Sequence, residues 1–303
     1  MKKWKLVYAI PGDNVYLRDQ AIAAESAAAR LGVDLQVVNA KMDSVAQSQQ
    51  LLGFVQSAAE SRPDALIVEP VSAAGYPRVA EAAVAAGIAW AVSNAQVDYL
   101  AALRKNAKAP VFLVSQDHVE IGRIQGCQIG AILPDGGSVL YLRGPQMNSL
   151  ASRRFEGLEG AKPKNVEVKS VKVQGSGSET AYTATCSWLG LSSGRSDGVH
   201  MVVSQNADFL MGARKAFETN TPEAERAKWL ALPFAGAGLP KQMKPLVEQG
   251  VLRAAVFTSL TMDALMPKLV QALNQGSQPP EQTFVEAHSF PIVEELARPR
   301  ERA

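Results

Sequence analysis

The residues of this chain whose types and spacing could do chemistry are polar side chains that interrupt short apolar runs. The stretch Val202–Ala213 shows the pattern best. Val202-Val203-Ser204 is strand-like, Gln205-Asn206 breaks it, and a helical pattern follows with Asp208 near its start. In an open α/β sheet, ligands bind beyond the carboxyl ends of the strands, where helices begin. Asn206 would stand there, with two amide donors and one acceptor for the hydroxyl or amide groups of a small ligand. The same position suits a helix cap, and the residue types alone leave both roles open. Comparable residues stand at other expected strand ends: Asn14 with Tyr16, Asn94, Asp117, Asn148 with Ser149, Ser176, and Thr258. Such a ring fits a cleft between two lobes that takes a small polar ligand.

Other motifs carry less. Gly194-Arg195-Ser196-Asp197-Gly198 has the letters of a serine-hydrolase elbow. That chemistry needs a strand-to-helix turn, whereas here a helix, a loop and a strand are expected. A hydrolase acting through Ser196, or through the Gly175-Ser176-Gly177-Ser178 loop, is the competing functional class. The latter loop could cradle an anion, but Thr180 stands where a dinucleotide fingerprint needs its third glycine. Gly236-Ala237-Gly238-Leu239-Pro240 reads as another strand-to-helix loop. Arg153-Arg154 could hold an anion or face solvent. Cys127 and Cys186 read as free thiols, and His118, His200 and His288 have no metal-ligand spacing. No metal, cofactor or enzymatic activity is expected.

The elements that must position these residues alternate. Strands are expected at Trp4–Ile10, Val33–Asn39, Ala65–Glu69, Ile88–Ser93 and Val111–Ser115, with helices at Asn14–Arg30, Ser44–Ser61 and Ala73–Ala86 and a loose turn in Val97–Asn106. The rhythm restarts with helices at Ile121–Leu133, Ser149–Ala161, Glu179–Leu191, Ala207–Thr219, Pro240–Glu248 and Met262–Asn274. The strands between and after them are Ser138–Arg143, Val166–Val173, Val199–Ser204, Trp229–Pro233, Leu252–Phe257, Phe284–Ala287 and Phe290–Val293. Alternation of this kind predicts βαβ units on parallel sheets, covered by helices on both faces. The fold class is therefore α/β, with two doubly wound parallel-sheet lobes joined by a multi-strand hinge. One lobe takes residues 1–115 and 259–283, the other 116–258 and 284–303. Crossings are expected near Ser115-Gln116, Thr258-Ser259 and Gln282-Thr283.

The 303 residues carry a net charge of +2, with 47% hydrophobic and 20% charged residues. No basic stripe marks a nucleic-acid partner, and no apolar run approaches a membrane span. Met1-Lys2-Lys3 is followed by too short an apolar run, and by no small-residue cleavage site, for a secretory signal. The expected location is periplasmic if a signal peptide was removed, and otherwise cytoplasmic.

With those segments in hand, the chain resembles the type I periplasmic binding proteins, in particular the ribose/galactose-type sugar-binding proteins of ABC importers. The effector cores of lactose-repressor-type regulators share that fold. The resemblance rests on Asn14–Gly32, Asp64–Pro70, Ser115–Gly126, Leu140–Gly157 and above all Val202–Ala213. It implies two lobes that close around a small, sugar-like ligand, with an ABC permease or a sensor protein as partner. It places Asn14, Tyr16 and Leu17 on a ligand-contacting first loop and Asn206 on a contacting asparagine. Asn94, Ala95, Ser152, Ser176 or Gly177, Ala237 and Thr258 fall where the family carries other contact residues, several of them charged. Charged groups grip vicinal hydroxyls strongly. An unmodified sugar and a larger, less hydroxylated or more apolar ligand therefore both stay open.

Overall fold

The computed structural model describes residues 2–72, 74–105, 107–145, 149–191 and 198–297. In chain order the first elements are β1 (Lys5–Ile10), α1 (Val15–Leu31), β2 (Asp34–Asn39), α2 (Ser44–Gln56), β3 (Ala65–Val68), α3 (Pro77–Ala85), β4 (Ala89–Ser93), α4 (Leu100–Arg104) and β5 (Val111–Gln116). There follow α5 (His118–Ile132), β6 (Gly137–Arg143), α6 (Ser149–Ala161), β7 (Val166–Lys172), α7 (Ser178–Leu189), β8 (Met201–Ser204), α8 (Ala207–Thr219), α9 (Glu223–Ala231) and β9 (Phe234–Gly238). The last are α10 (Pro240–Glu248), β10 (Ala254–Phe257), α11 (Thr261–Gln275), β11 (Gln282–Val285), β12 (His288–Phe290) and α12 (Val293–Leu296).

The chain divides into two compact units, Met1–Gln116 with Leu260–Val285 and Asp117–Ser259 with Glu286–Ala303. The first holds a six-stranded sheet in the order β11-β5-β4-β3-β1-β2, with all pairs parallel. Its strands alternate between two apolar faces, because successive side chains point to opposite sides of a sheet. Leu6, Tyr8, Ile67 and Phe112 pack against α1 and α11, while Val7, Leu66, Trp90 and Leu113 pack against α2 and α3. Both faces being covered, the strands read as nearly continuous apolar runs.

The second unit repeats the plan in the order β12-β10-β9-β8-β6-β7. Here the short closing strand β12 pairs antiparallel with β10, and the other strand pairs are parallel. Leu140, Val202 and Phe234 face α7, α8, α9 and α10, and Val139, Tyr141 and Met201 share the opposite face with Ile129 and Leu158. Helices α5 and α6 touch closely at two glycines. A β-carbon on Gly122 would come 1.9 Å from the Arg154 carbonyl, and one on Gly157 would come 2.0 Å from the Val119 carbonyl.

Several local expectations are corrected. Trp229–Pro233 is not a strand: Trp229 lies in α9, where Glu223 and Glu225 in the first turn suit a helix N-terminus. The strand is instead Phe234–Gly238, so Gly236, Ala237 and Gly238 belong to β9 and not to a loop. The run expected as a strand over Phe290–Val293 turns into α12 at Val293. Gln282 and Thr283 lie inside β11.

Candidate functional site

Within the first unit, the carboxyl ends of β3 and β4 carry a buried polar constellation. Glu69 follows β3, and Asn94 follows the neighbouring β4; each is 6% exposed. Asn94 donates through Nδ2 to Glu69 Oε1 at 3.1 Å, and the Tyr8 hydroxyl donates to Oε2 at 3.1 Å. Burial drives the Glu69 carboxyl up to about 7, against the pull of those two hydrogen bonds. Burial also raises the Tyr8 phenol, and the nearby Glu69 charge adds to it. Asn94 has φ 51°, in the left-handed region that asparagine tolerates better than most residues. Its Oδ1 is buried without a hydrogen-bond partner. Gln47 braces the corner, donating to the Glu69 carbonyl at 3.0 Å and accepting from the Tyr76 hydroxyl at 2.7 Å.

The loop after β1 brings Asn14, Tyr16 and Leu17 into one turn. Asn14 caps α1, accepting from the Leu17 N–H at 2.9 Å. Leu17 is buried. The Tyr16 hydroxyl accepts from Gln20 at 2.6 Å and from Gln116 at 3.1 Å.

In the second unit, Asn206 occupies the half-buried position between β8 and α8. Its Oδ1 accepts from the Phe209 N–H at 2.8 Å, which makes it the cap of α8. The Ser204 hydroxyl donates to the Asn206 carbonyl at 2.8 Å. Gln205 is buried as a brace, accepting from the Gly144 N–H at 2.8 Å and donating to the Ala151 carbonyl at 2.7 Å. Arg154, considered above as an anion ligand, donates to His118 Nδ1 at 3.1 Å and to the Gln205 carbonyl. His118 is pushed well below the usual histidine range, by burial first and then by Arg154 and Arg153. Its Nε2 is buried without a hydrogen-bond partner. Asp117 caps α5 by accepting from the Glu120 N–H.

The remaining expected residues are scattered. Thr258, buried just after β10, donates its N–H to the Gly238 carbonyl at 3.0 Å, so the ends of β9 and β10 meet there. The Ala237 methyl packs with Ile121, Ile124 and Val256 in an apolar cluster. Ser176 is exposed in the loop after the edge strand β7. Ser152 lies half-buried on α6, and Ala95 is half-buried beside Asn94. Ser149 opens α6, while Asn148 and the segment 192–197 with Ser196 lie outside the described residues. Cys127 and Cys186 are free thiols on α5 and α7. Among the described residues no group of three His, Cys, Asp or Glu side chains gathers as a metal site.

Glu69, Gln20 and Gln116 were not among the site residues expected from the sequence. The one local signal was Glu69-Pro70 directly after an apolar run, which places a carboxylate at a strand end.

The sequence matches the family described as periplasmic binding protein domain over residues 7–274. A comparison with curated proteins gives no match. Solved structures of the same fold include an ABC transporter periplasmic solute binding protein from Actinobacillus succinogenes 130z with bound D-allose. It shares 17% identity at a TM-score of 0.80, over 97% of this chain and 99% of that one. A solute binding protein from Bacillus halodurans C-125 with bound myo-inositol shares 20% identity at a TM-score of 0.77, over 98% of each chain. The fructose binding periplasmic domain of a hybrid two component system shares 19% identity at a TM-score of 0.75, over 97% of this chain and 93% of that one.

Proposed function

The chain belongs to the periplasmic binding protein family, and from that premise we propose that it is a solute-binding protein that captures a sugar or sugar derivative for an ABC importer. The observation that carries the ligand class is the corner at Glu69 and Asn94. A buried carboxyl that can both accept and, when protonated, donate stands beside an unpartnered amide oxygen, and such a pair is suited to a ligand whose hydroxyls do both. Asn206 and Tyr16 supply an amide and an aromatic ring at other strand or loop ends. The reading is one of binding without turnover.

The importer reading puts the protein in the periplasm. No described helix is long and apolar enough to cross a membrane. A second reading makes the chain the input domain of a sensor, and the fold shared with the two component receptor favours it.

The test is a thermal-shift screen over aldoses, ketoses, inositols and furanoses, followed by calorimetric titration of each hit. The expected result is a raised midpoint for at least one polyhydroxylated compound, since a ligand that binds only the folded chain stabilises it. A chain that ignores all of them and is stabilised by ligands without hydroxyls would overturn the proposal.

A further inference from the structure

The hydroxyl of Tyr16 is held on its inner side by a buried hydrogen-bond hub. Gln20, fully buried on α1, donates both amide hydrogens, one to the Tyr16 hydroxyl at 2.6 Å and one to Thr261 Oγ1 at 2.7 Å. Its Oε1 accepts from the Met262 N–H at 3.1 Å, one of the donors left open at the start of α11. The Thr261 hydroxyl in turn meets the Ser93 hydroxyl at 2.8 Å, one residue before Asn94. Gln116 adds a second donor to the Tyr16 oxygen at 3.1 Å.

Two consequences follow. The Tyr16 oxygen accepts from two side-chain amides, those of Gln20 and Gln116. The hydroxyl is thus anchored from within, and the half-buried ring is held in a fixed orientation with it. The partners are also placed at the ends of the first unit's segments: the chain leaves that unit after Gln116 and re-enters it at Leu260, next to Thr261. Connected side-chain hydrogen bonds strengthen one another, so the parts of this network act together.

We propose that Gln20, without touching the ligand, is a positioning residue that fixes the Tyr16 ring as a stacking face and ties it to two of the points where the chain passes between units. This rests on the solute-binding reading above. Hydroxylated rings present C–H faces that stack on aromatic rings, so a pinned tyrosine selects ligands with such a face and a hydroxyl edge.

The experiment uses the full chain with D-allose, D-fructose and myo-inositol as probes, and the variants Gln20→Met, Tyr16→Phe and the pair. Gln20→Met keeps the length and helix propensity of the side chain, and Tyr16→Phe keeps the ring. Each is expected to weaken the probe that binds by about tenfold, and the pair by no more than the stronger single change, because both remove the same coupling. Additive losses of about a hundredfold overturn the proposal. NMR of ring-labelled tyrosine supplies a readout without ligand. The Tyr16 resonances are expected to sharpen toward fast ring flipping in Gln20→Met, and unchanged resonances overturn the positioning role whatever the titrations show. Asn206→Ser separates the two claims. If it loses affinity while Gln20→Met does not, the hub fails and the binding function stands. A wild-type chain that binds none of the probes removes the sugar reading and the stacking role together.

Discussion

The side-chain amide of Asn94 lies 3.1 Å from the carboxyl of Glu69, across the ends of two hydrogen-bonded parallel strands. Neither residue is free to choose its company. Asn94 sits in the left-handed region at φ 51°, which aims its side chain from the strand end, and Glu69 is held by Tyr8 on its other oxygen.

Stability should report on this pair through pH. The folded Glu69 carboxyl titrates near 7, while an unperturbed one titrates at 4.5. Between those values the unfolded chain has released a proton that the folded chain still holds. The contribution of Glu69 to stability therefore falls as pH rises through that window, by roughly 3 kcal/mol in all, and levels off above it. Glu69→Gln should remove this contribution. Its amide can meet Asn94 after a half-turn of the Asn94 amide, so the fold is retained. Urea denaturation at pH 5 and pH 8 checks it as the difference between parent and variant, because buried His118, held below the usual histidine range, adds a rise with pH to both; a difference that is the same at the two pH values places the titration elsewhere.

Asn206 has two roles that one substitution cannot separate and two substitutions can. Its Oδ1 caps α8, and serine caps helices about as well as asparagine. Asn206→Ser is expected to keep the melting temperature and lose ligand affinity, because the amide donors are gone. Asn206→Ala is expected to lose affinity and about 1 kcal/mol of stability as well. Equal affinity in Asn206→Ser and the parent would reduce this asparagine to a cap.

The strand-end pattern was readable because it is local. Val202–Asn206 announces a strand, a polar break and a cap within a few residues, and β8, Asn206 and α8 follow it. Glu69 was not readable in the same way. Its burial depends on Tyr8, Gln47 and Asn94, which are 61, 22 and 25 positions away in the chain. Gln20 reads as one polar residue in an alanine-rich helix, and only the return of α11 beside α1 gives it Thr261, 241 positions away. Trp229 misled for the opposite reason. Trp-Leu-Ala-Leu is apolar throughout, and a short apolar run does not distinguish a buried strand from a buried helix turn.

Trp229 is accordingly a packing residue of the second unit. It is fully buried, stacked on Phe217 at 4.4 Å with the rings parallel, and touched at its edge by Trp188. Trp229→Ala should cost about 3–5 kcal/mol through the cavity it leaves. Trp229→Phe should cost clearly less. It keeps the stack and removes an indole N–H that is buried without a partner. Chemical denaturation of both variants checks the order, and a phenylalanine variant as unstable as the alanine one would show that indole volume, not ring stacking, sets the energy.

The contact between α5 and α6 should be the least forgiving point of the second unit. Gly122 faces the Arg154 carbonyl and Gly157 faces the Val119 carbonyl, so each helix approaches the other's backbone where the partner has no side chain. Alanine ordinarily favours a helix over glycine by about 1 kcal/mol. Here the added methyl would fall 1.9 Å from a carbonyl oxygen that belongs to a helix and cannot swing aside. The helices must separate, at a cost of about 3 kcal/mol for such overpacking, and the propensity gain does not offset it. Separation also moves Arg154 relative to His118 Nδ1 and the Gln205 carbonyl. Gly122→Ala is thus expected to lower both stability and ligand affinity, whereas Gly160→Ala, one turn along α6 with open space around its α-carbon, should stabilise slightly and leave binding alone. Thermal melts and titrations of the two variants side by side decide it: a Gly122→Ala protein as stable as Gly160→Ala would mean that this helix contact yields without cost.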